Sequence, residues 1–396
     1  MIYSIFQFLV IVFTVSACIF YHKLILQITF FWSKKSKSEE LAAFKKMLST
    51  KFVVIIPVRN EAENIRECIA SILKQSYPQD LYRIIVVDDH STDDTVSIIE
   101  SIGEKRLTLL ALPIGLSGKK SAIRFAVHSV DEAETVLFFT DGDCIWGPNV
   151  LVEHAAIYDE NFQIKMVAGQ IFINKVPKFI SYFQSMDMLA TMALTYWAGE
   201  TDRFYLANGA HMSIRKELFI ALDPYHDNIL LPSGDDVFIA KKVFEYRISQ
   251  NIRHKIIKYL FPSENGIIRT DPMFSWKDLL SQRKRWASKT TAYANKSILY
   301  TKTVVFLQSF VIVFLPLMFI INPDLFSLIS VWLVALIAKI TVDYYFLKTV
   351  SKDFFQDISC NLRYLTASLL YCLYFIYMAI MAVISPSFEW KGRFHK

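Results

Sequence analysis

Hydrophobic positions along the chain follow two patterns. Four runs, at residues 2–21, 303–321, 325–347 and 364–384, are almost continuously apolar. Each is long enough for a helix to cross a bilayer core, which takes about 20 residues. Between roughly residues 51 and 297 short β-branched runs alternate with helical stretches, as in a mainly parallel α/β sheet. There the spacing predicts strands at 52–56, 83–87 and 135–140 and helices at 61–75 and 93–102. An aromatic and methionine-rich run at 179–197 reads either as buried core or as a helix lying on a membrane, with the second preferred.

Composition agrees with that division. The 396 residues are 53% hydrophobic and 20% charged, which excludes a disordered chain, a collagen and a disulfide miniprotein. The net charge of +6 comes from basic residues beside the apolar runs, where they favour an anionic cytoplasmic leaflet, so no nucleic acid partner is expected. Lys34, Lys35, Lys37, Lys45 and Lys46 follow the first run, and no basic residue precedes it. The positive-inside rule then puts the N-terminus outside and the next domain in the cytoplasm. Val15-Ser16-Ala17-Cys18 has the look of a lipoprotein cleavage site but lacks the charged n-region of a cleaved signal.

Asn322-Pro323-Asp324 reads as an outside turn, and Lys348, Lys352 and Arg363 as a cytoplasmic loop. Three full C-terminal crossings would leave Lys391, Arg393 and Lys396 outside, against the rule, so a re-entrant or interfacial segment stays open. Lys339 and Asp343, four apart, share a helix face where an ion pair lowers the cost of burial. The five cysteines have no CxxC spacing and the eight histidines make no ligand pair with them, so neither a disulfide framework nor a zinc site is expected.

Three polar segments follow predicted strands, at the edge where open α/β sheets bind ligands. They are Pro57-Val58-Arg59-Asn60-Glu61, Asp88-Asp89-His90-Ser91-Thr92-Asp93-Asp94 and Asp141-Gly142-Asp143. Two carboxylates flanking a small residue can turn toward one hard cation, which takes oxygen ligands and can bridge to a diphosphate. A solvated turn is the alternative, and the position of Asp141 and Asp143 after an apolar strand favours the metal. The dinucleotide fingerprint GxGxxG is absent after the first strand, and Gly115-Leu116-Ser117-Gly118-Lys119-Lys120 lacks P-loop spacing. Lys119 can still bind phosphate as a point charge. Ser233-Gly234-Asp235-Asp236 opens a helical run, where a carboxylate commonly caps the helix. Gln282-Arg283-Lys284-Arg285-Trp286 lies on an amphipathic stretch with Trp276 and Lys289 that also suits a membrane interface.

In this order the motifs resemble the family 2 glycosyltransferases of the GT-A fold, in particular the membrane-integrated synthases. That resemblance implies an α/β, GT-A (Rossmann-like) cytoplasmic domain with N-terminal and C-terminal transmembrane helices. It implies that Pro57, Arg59 and Glu61 line the nucleotide pocket, that Asp89 contacts uracil and ribose, and that Gly118-Lys119 with Ala122 lies beside the nucleotide. Asp141 and Asp143 would be the DxD holding Mg²⁺ or Mn²⁺ on the UDP diphosphate. Asn208-Gly209-Ala210 is similar to the loop that shapes the sugar and acceptor site. Asp236 would be the general base, with Asp235 beside it. Gln282, Arg285 and Trp286 match QxxRW, where Trp286 would stack on an acceptor and Gln282 and Arg285 would order the diphosphate or the carboxylate. The tail Phe388-Glu389-Trp390-Lys391-Gly392-Arg393 is similar to one in some bacterial members, including carotenoid glycosyltransferases.

The expected domains are a transmembrane helix at 1–32, the GT-A domain at 51–273, an interfacial helix at 274–300, a membrane region of about three segments at 303–384 and a basic tail at 385–396. The implied activity is inverting transfer from a UDP-sugar to a lipid or growing polysaccharide, by a multi-pass protein of the cell (inner) membrane. Four helices make a narrow conduit, so a polymer would call for a partner subunit or a homo-oligomer. A metal-dependent nucleotidyltransferase would also use paired Asp residues but needs neither membrane helices nor QxxRW. A catalytically silent membrane scaffold would have no use for the acidic motifs.

Overall fold

The computed structural model describes residues 2–35, 48–131, 135–229, 231, 234–288, 295–321, 328–384, 388–390 and 393–395. Lys37, Lys45, Lys46, Ser233, Lys289, Asn322, Pro323, Asp324, Lys391 and Lys396, which enter the expectations above, lie outside the described residues. In chain order the elements begin with α1 (Ile2–Lys34), β1 (Lys51–Val58), α2 (Ile65–Leu73), β2 (Tyr82–Asp88), α3 (Thr95–Glu100), β3 (Leu107–Ala111), α4 (Lys119–His128) and β4 (Thr135–Phe139). Then come β5 (Cys144–Trp146), α5 (Val150–Glu160), β6 (Met166–Ala168), β7 (Ile171–Ile173), α6 (Phe179–Glu200), β8 (Met212–Arg215), α7 (Lys216–Leu222), α8 (Asp235–Ser249), β9 (Ile257–Tyr259) and β10 (Ile268–Thr270). Helices α9 (Trp276–Ser288), α10 (Lys296–Ile321), α11 (Ile329–Asp353) and α12 (Leu362–Ile384) follow.

Two compact units divide the chain, Ser36–Phe274 with Glu389–His395, and Met1–Lys35 with Ser275–Phe388 and Lys396. The first is built on a seven-stranded sheet of order β3-β2-β1-β4-β8-β6-β9, with a three-stranded sheet β5-β10-β7 beside it. Strands β1 to β4 are parallel and β8 is antiparallel to both its neighbours. Every residue of β4 and the run Phe52–Ile56 of β1 are buried, as continuously apolar strands covered on both faces should be. The expected strand 52–56 ends two residues early. In fact β1 continues through Pro57 and Val58, which pair with Val87 and Asp88 of β2. Pairing with β4 stops at Ile55, so the N–H that Pro57 lacks is not missed on that side. The first helix starts later than expected, after a turn in which Asn64 N–H donates to Glu61 O at 3.0 Å.

The run read as a membrane-surface helix is α6, and it is buried on almost every face, from Ile180 to Gly199. It packs against β7 and β9. A helix apolar all round is buried by protein or by lipid, and sequence periodicity cannot separate the two. A Cβ at Gly199 would run into the Tyr259 ring, whose hydroxyl donates to Leu206 O at 2.8 Å and pins it. Gly199→Ala should therefore lower stability by roughly 1–3 kcal/mol through overpacking, measured as a drop in thermal midpoint of the purified protein; an unchanged midpoint would show that Tyr259 can move.

Beneath the sheet His154 and His211 stack at 5.2 Å, with Phe138 against both. His154 Nδ1 bonds Ser213 Oγ at 2.7 Å, Ser213 Oγ also meets Tyr158 OH at 3.0 Å, and His211 Nδ1 bonds Gln170 O at 2.7 Å. Burial pushes the His211 imidazole down to about 4, opposed in part by the Gln170 bond, and burial with the neighbouring His211 pushes His154 well below its ordinary value. Unfolding releases imidazoles that protonate near 6.5, so their contribution is fully present above that pH and is lost as the pH falls toward 4. For His211 alone this is on the order of 3 kcal/mol. The denaturation midpoint should fall across that window, and His211→Gln should flatten the fall.

Among the described residues of the second unit four helices, Ser4–Lys34, Lys296–Ile321, Ile329–Ser351 and Leu362–Ala382, are long and apolar enough to cross a membrane. Helix α1 continues past the apolar run at 2–21 to Lys34, with Leu24, Ile28 and Trp32 on a buried face. It packs against α10 and α11. As the spacing predicts, Lys339 Nζ pairs with Asp343 Oδ2 at 2.6 Å, and Tyr21 OH donates to Asp343 Oδ1 at 2.6 Å. Trp32 Nε1 donates to Asp353 Oδ2 at 2.8 Å.

Candidate active site

Strand β1 lies between β2 and β4, so the chain winds outward on one side of it and then crosses to the other. Loops leaving the carboxyl ends of β1 and β4 are therefore neighbours at the switch point of the sheet. The loops after β1 and β2 interlock. Arg59 Nη1 donates to Asp89 O at 2.7 Å and His90 O at 2.8 Å, Asn60 N–H to Ser91 Oγ at 2.9 Å, Thr92 N–H to Asn60 Oδ1 at 2.8 Å and Glu61 N–H to Thr95 Oγ1 at 2.8 Å. Asp89 is buried and its Oδ2 accepts the N–H of Gly118 at 2.9 Å. Gly118 has φ +90, a left-handed backbone that glycine adopts freely, and it opens α4 at Lys119. Arg59 thus shapes the β2 loop, and Asp89 fixes the start of α4.

The Asp141-Gly142-Asp143 loop follows β4 directly. A Cβ at Gly142 would lie 3.0 Å from Val58 Cγ1 and 3.2 Å from Glu61 Cγ, which is why the residue between the carboxylates is small. Asp141 O accepts from Cys68 Sγ at 3.4 Å, and Asp143 accepts from Cys144 Sγ and Thr270 Oγ1, both at 3.5 Å. Ligand atoms of Asp141, Asp143 and Cys144 lie within 4.8 Å of one another. Burial, then the charges of Asp143 and Asp141, push the Cys144 thiol well up, so it keeps its proton. What the group offers is two carboxylates, which fit a hard divalent cation such as Mg²⁺ or Mn²⁺ rather than a thiophilic one.

Lys119 joins this loop to a distant helix. Its Nζ lies 2.6 Å from Asp141 Oδ1 and 2.8 Å from Asp235 Oδ2. Burial alone would lower the Lys119 ammonium, but Asp141 and Asp235 more than reverse this and raise it. Asp235 and Asp236 form the first turn of α8, entered through Gly234 at φ +89. Asp236 Oδ1 accepts from Val237 N–H at 2.7 Å and Oδ2 from Gly209 N–H at 3.3 Å. The Asn208-Gly209-Ala210 loop is held by Asn208 Nδ2, which donates to Gly169 O at 3.0 Å. A Cβ on Gly209 would lie 2.6 Å from Asp235 Oδ2 and 2.9 Å from Lys119 Nζ, so a glycine is what lets the pair form.

The structure thus links Asp89, Lys119, Asp141, Asp143, Asp235 and Asp236 in one place, with Pro57, Arg59 and Glu61 in or beside the strand that supports them. Sequence reasoning missed the Lys119 bridge and Cys144, because nothing in the spacing of Lys119, Asp141 and Asp235 signals that they meet. The neighbouring Lys120 is turned elsewhere. It is buried, donates to Asn228 O and Oδ1 at 2.8 and 2.7 Å, and lies over the Phe238 ring. Gln282, Arg285 and Trp286 lie on α9, in the unit that holds the four apolar helices. Within α9, Arg283 Nη1 donates to Gln282 Oε1 at 2.7 Å and the guanidinium covers the Trp286 ring at 4.1 Å.

A family model described as Glycosyl transferase family 2 matches residues 53–217. Among named proteins, Glycosyltransferase AglE of Haloferax volcanii is 25% identical over 205 residues, which is 52% of this chain and 64% of that protein. Probable glycosyltransferase YdaM of Bacillus subtilis is 24% identical over 257 residues, 60% of this chain and 54% of that protein. The match therefore spans less than two thirds of the length of either relative. A solved structure, mannosyltransferase PcManGT from Pyrobaculum calidifontis in complex with GDP-Man and Mn²⁺, is 15% identical with a TM-score of 0.48 and covers 93% of this chain and 98% of that one.

Proposed function

We propose that this chain, whose residues 53–217 match the model for glycosyl transferase family 2, is a membrane-integrated, inverting glycosyltransferase that moves a sugar from UDP to a lipid or growing polysaccharide acceptor. The observation that carries the proposal is the pairing, through Lys119, of the Asp141 loop with the Asp235-Asp236 helix start. Donor-side and acceptor-side carboxylates then meet at the carboxyl edge of the parallel strands.

In this scheme the loops carrying Arg59 and Asp89, with the Gly118 turn, cradle the nucleoside, and Lys119 offers a positive charge to the diphosphate. Asp236, held by Gly209 and Val237 N–H groups, takes the proton of the acceptor hydroxyl. The hydroxyl oxygen forms its bond to the anomeric carbon as the bond to the UDP oxygen breaks on the opposite face, and that electron pair leaves with UDP. Asp141 and Asp143 would hold a divalent cation, which when bound neutralises charge on the leaving diphosphate. Gln282, Arg285 and Trp286 are assigned to diphosphate and acceptor binding by their match to QxxRW alone, and the domain at 51–273 to the cytoplasm by the positive-inside rule.

Purified protein in native-lipid membranes, given radiolabelled UDP-sugars, should release free UDP and label a lipid or polymer fraction. Release of pyrophosphate without sugar transfer would identify a nucleotidyltransferase instead, and no turnover with any nucleotide sugar would leave the scaffold reading. Product length separates single transfer from processive synthesis.

A further inference from the structure

The Lys119 ammonium occupies Asp141 Oδ1 at 2.6 Å and Asp235 Oδ2 at 2.8 Å at the same time. Asp141 is one of the two carboxylates able to hold a divalent cation, and Asp235 adjoins Asp236 at the start of α8. We propose that Lys119 is an internal counterion that latches Asp141 to Asp235 in the nucleotide-free protein, and that it exchanges Asp141 for the donor diphosphate when nucleotide and metal enter. The inference rests on the donor site set out above and adds an order to its filling.

Two like charges cannot share one carboxylate oxygen at contact distance without strong repulsion. While Lys119 holds Asp141 Oδ1, a dication arriving alone meets a half-neutralised site and an ammonium in its path. A metal arriving with a diphosphate brings the anion that draws Lys119 away. The exchange frees Asp235 from its cross-link to the Asp141 loop, so donor binding is felt at the helix start that carries Asp236. In this account Lys119 meets the diphosphate directly. Before a donor arrives it keeps the acidic group from loading with free metal and ties the α8 start to the Asp141 loop.

Gly209 supplies a second handle. Its Cα faces the latch closely enough that an added Cβ would stand 2.6 Å from Asp235 Oδ2 and 2.9 Å from Lys119 Nζ. Gly209→Ala should loosen the latch while keeping the Lys119 charge.

The test is Mn²⁺ titration of the full chain in lipid nanodiscs, followed by the electron paramagnetic resonance signal of free Mn²⁺, with no nucleotide and then with UDP. Lys119→Met should bind Mn²⁺ alone roughly ten-fold tighter or more than the unaltered protein, Gly209→Ala should shift the same way by less, and UDP should shrink the gap. Equal Mn²⁺ affinity of the three proteins without nucleotide overturns the latch and leaves the donor site standing. No Mn²⁺ binding by any of them, with or without UDP, removes the metal site and the latch with it.

Discussion

Asp236→Asn should lower turnover by about 10³-fold, within the range of a lost general base, while UDP affinity stays within about two-fold of the unaltered protein. The amide keeps the shape of the side chain, and its one oxygen can still accept the shorter bond, from Val237 N–H at 2.7 Å, at the cost of the longer one from Gly209 N–H at 3.3 Å. What it cannot do is take a proton from the acceptor hydroxyl. Binding and chemistry are therefore expected to separate, because Asp236 makes its difference only as the hydroxyl attacks. Isothermal titration with UDP and initial rates of UDP release measure the two quantities on one preparation. Wild-type turnover by Asp236→Asn would remove the base assignment, and an equal loss of UDP affinity would mean that the residue belongs to the donor subsite.

Asp143→Ala should weaken metal-dependent UDP binding by about 10²-fold, as loss of a metal's charge stabilisation would, and EDTA should bring the unaltered protein to a similar level. The hydrogen bonds that Asp143 accepts from Cys144 and Thr270 are long, 3.5 Å each. Asp141 is a poorer choice for this test, since its removal also releases Lys119. If EDTA changes neither UDP binding nor rate, the metal role fails and Lys119 becomes the diphosphate's chief counter-charge.

Much of the fold was legible because parallel strands buried on both faces are written as uninterrupted apolar runs, and 83–87 and 135–140 came within a residue of β2 and β4. The three ligand-edge segments were also legible, because polar residues placed directly after such strands have few other uses. The last two residues of β1 were not legible, since whether a strand tolerates a proline depends on which neighbour it faces. Helix α6 misled because lipid and protein interior ask for the same side chains. The latch was out of reach, since Lys119 and Asp235 look like ordinary surface charges until the fold brings them onto Asp141. Arg283 over Trp286 was equally hidden: the motif named the indole, while the residue three positions earlier on the helix determines what its face can meet.

The Tyr21–Asp343–Lys339 contact carries a consequence for how the protein is made. Its phenol belongs to α1 and its ion pair to α11, 322 residues later. The whole sheet unit is synthesised between them. A charged pair is costly to bury among apolar side chains, and the Tyr21 hydroxyl adds a hydrogen bond to Asp343 once α11 packs against α1. Helix α1 is thus a docking partner for α11, and a generic hydrophobic helix put in its place would leave Asp343 without that hydroxyl.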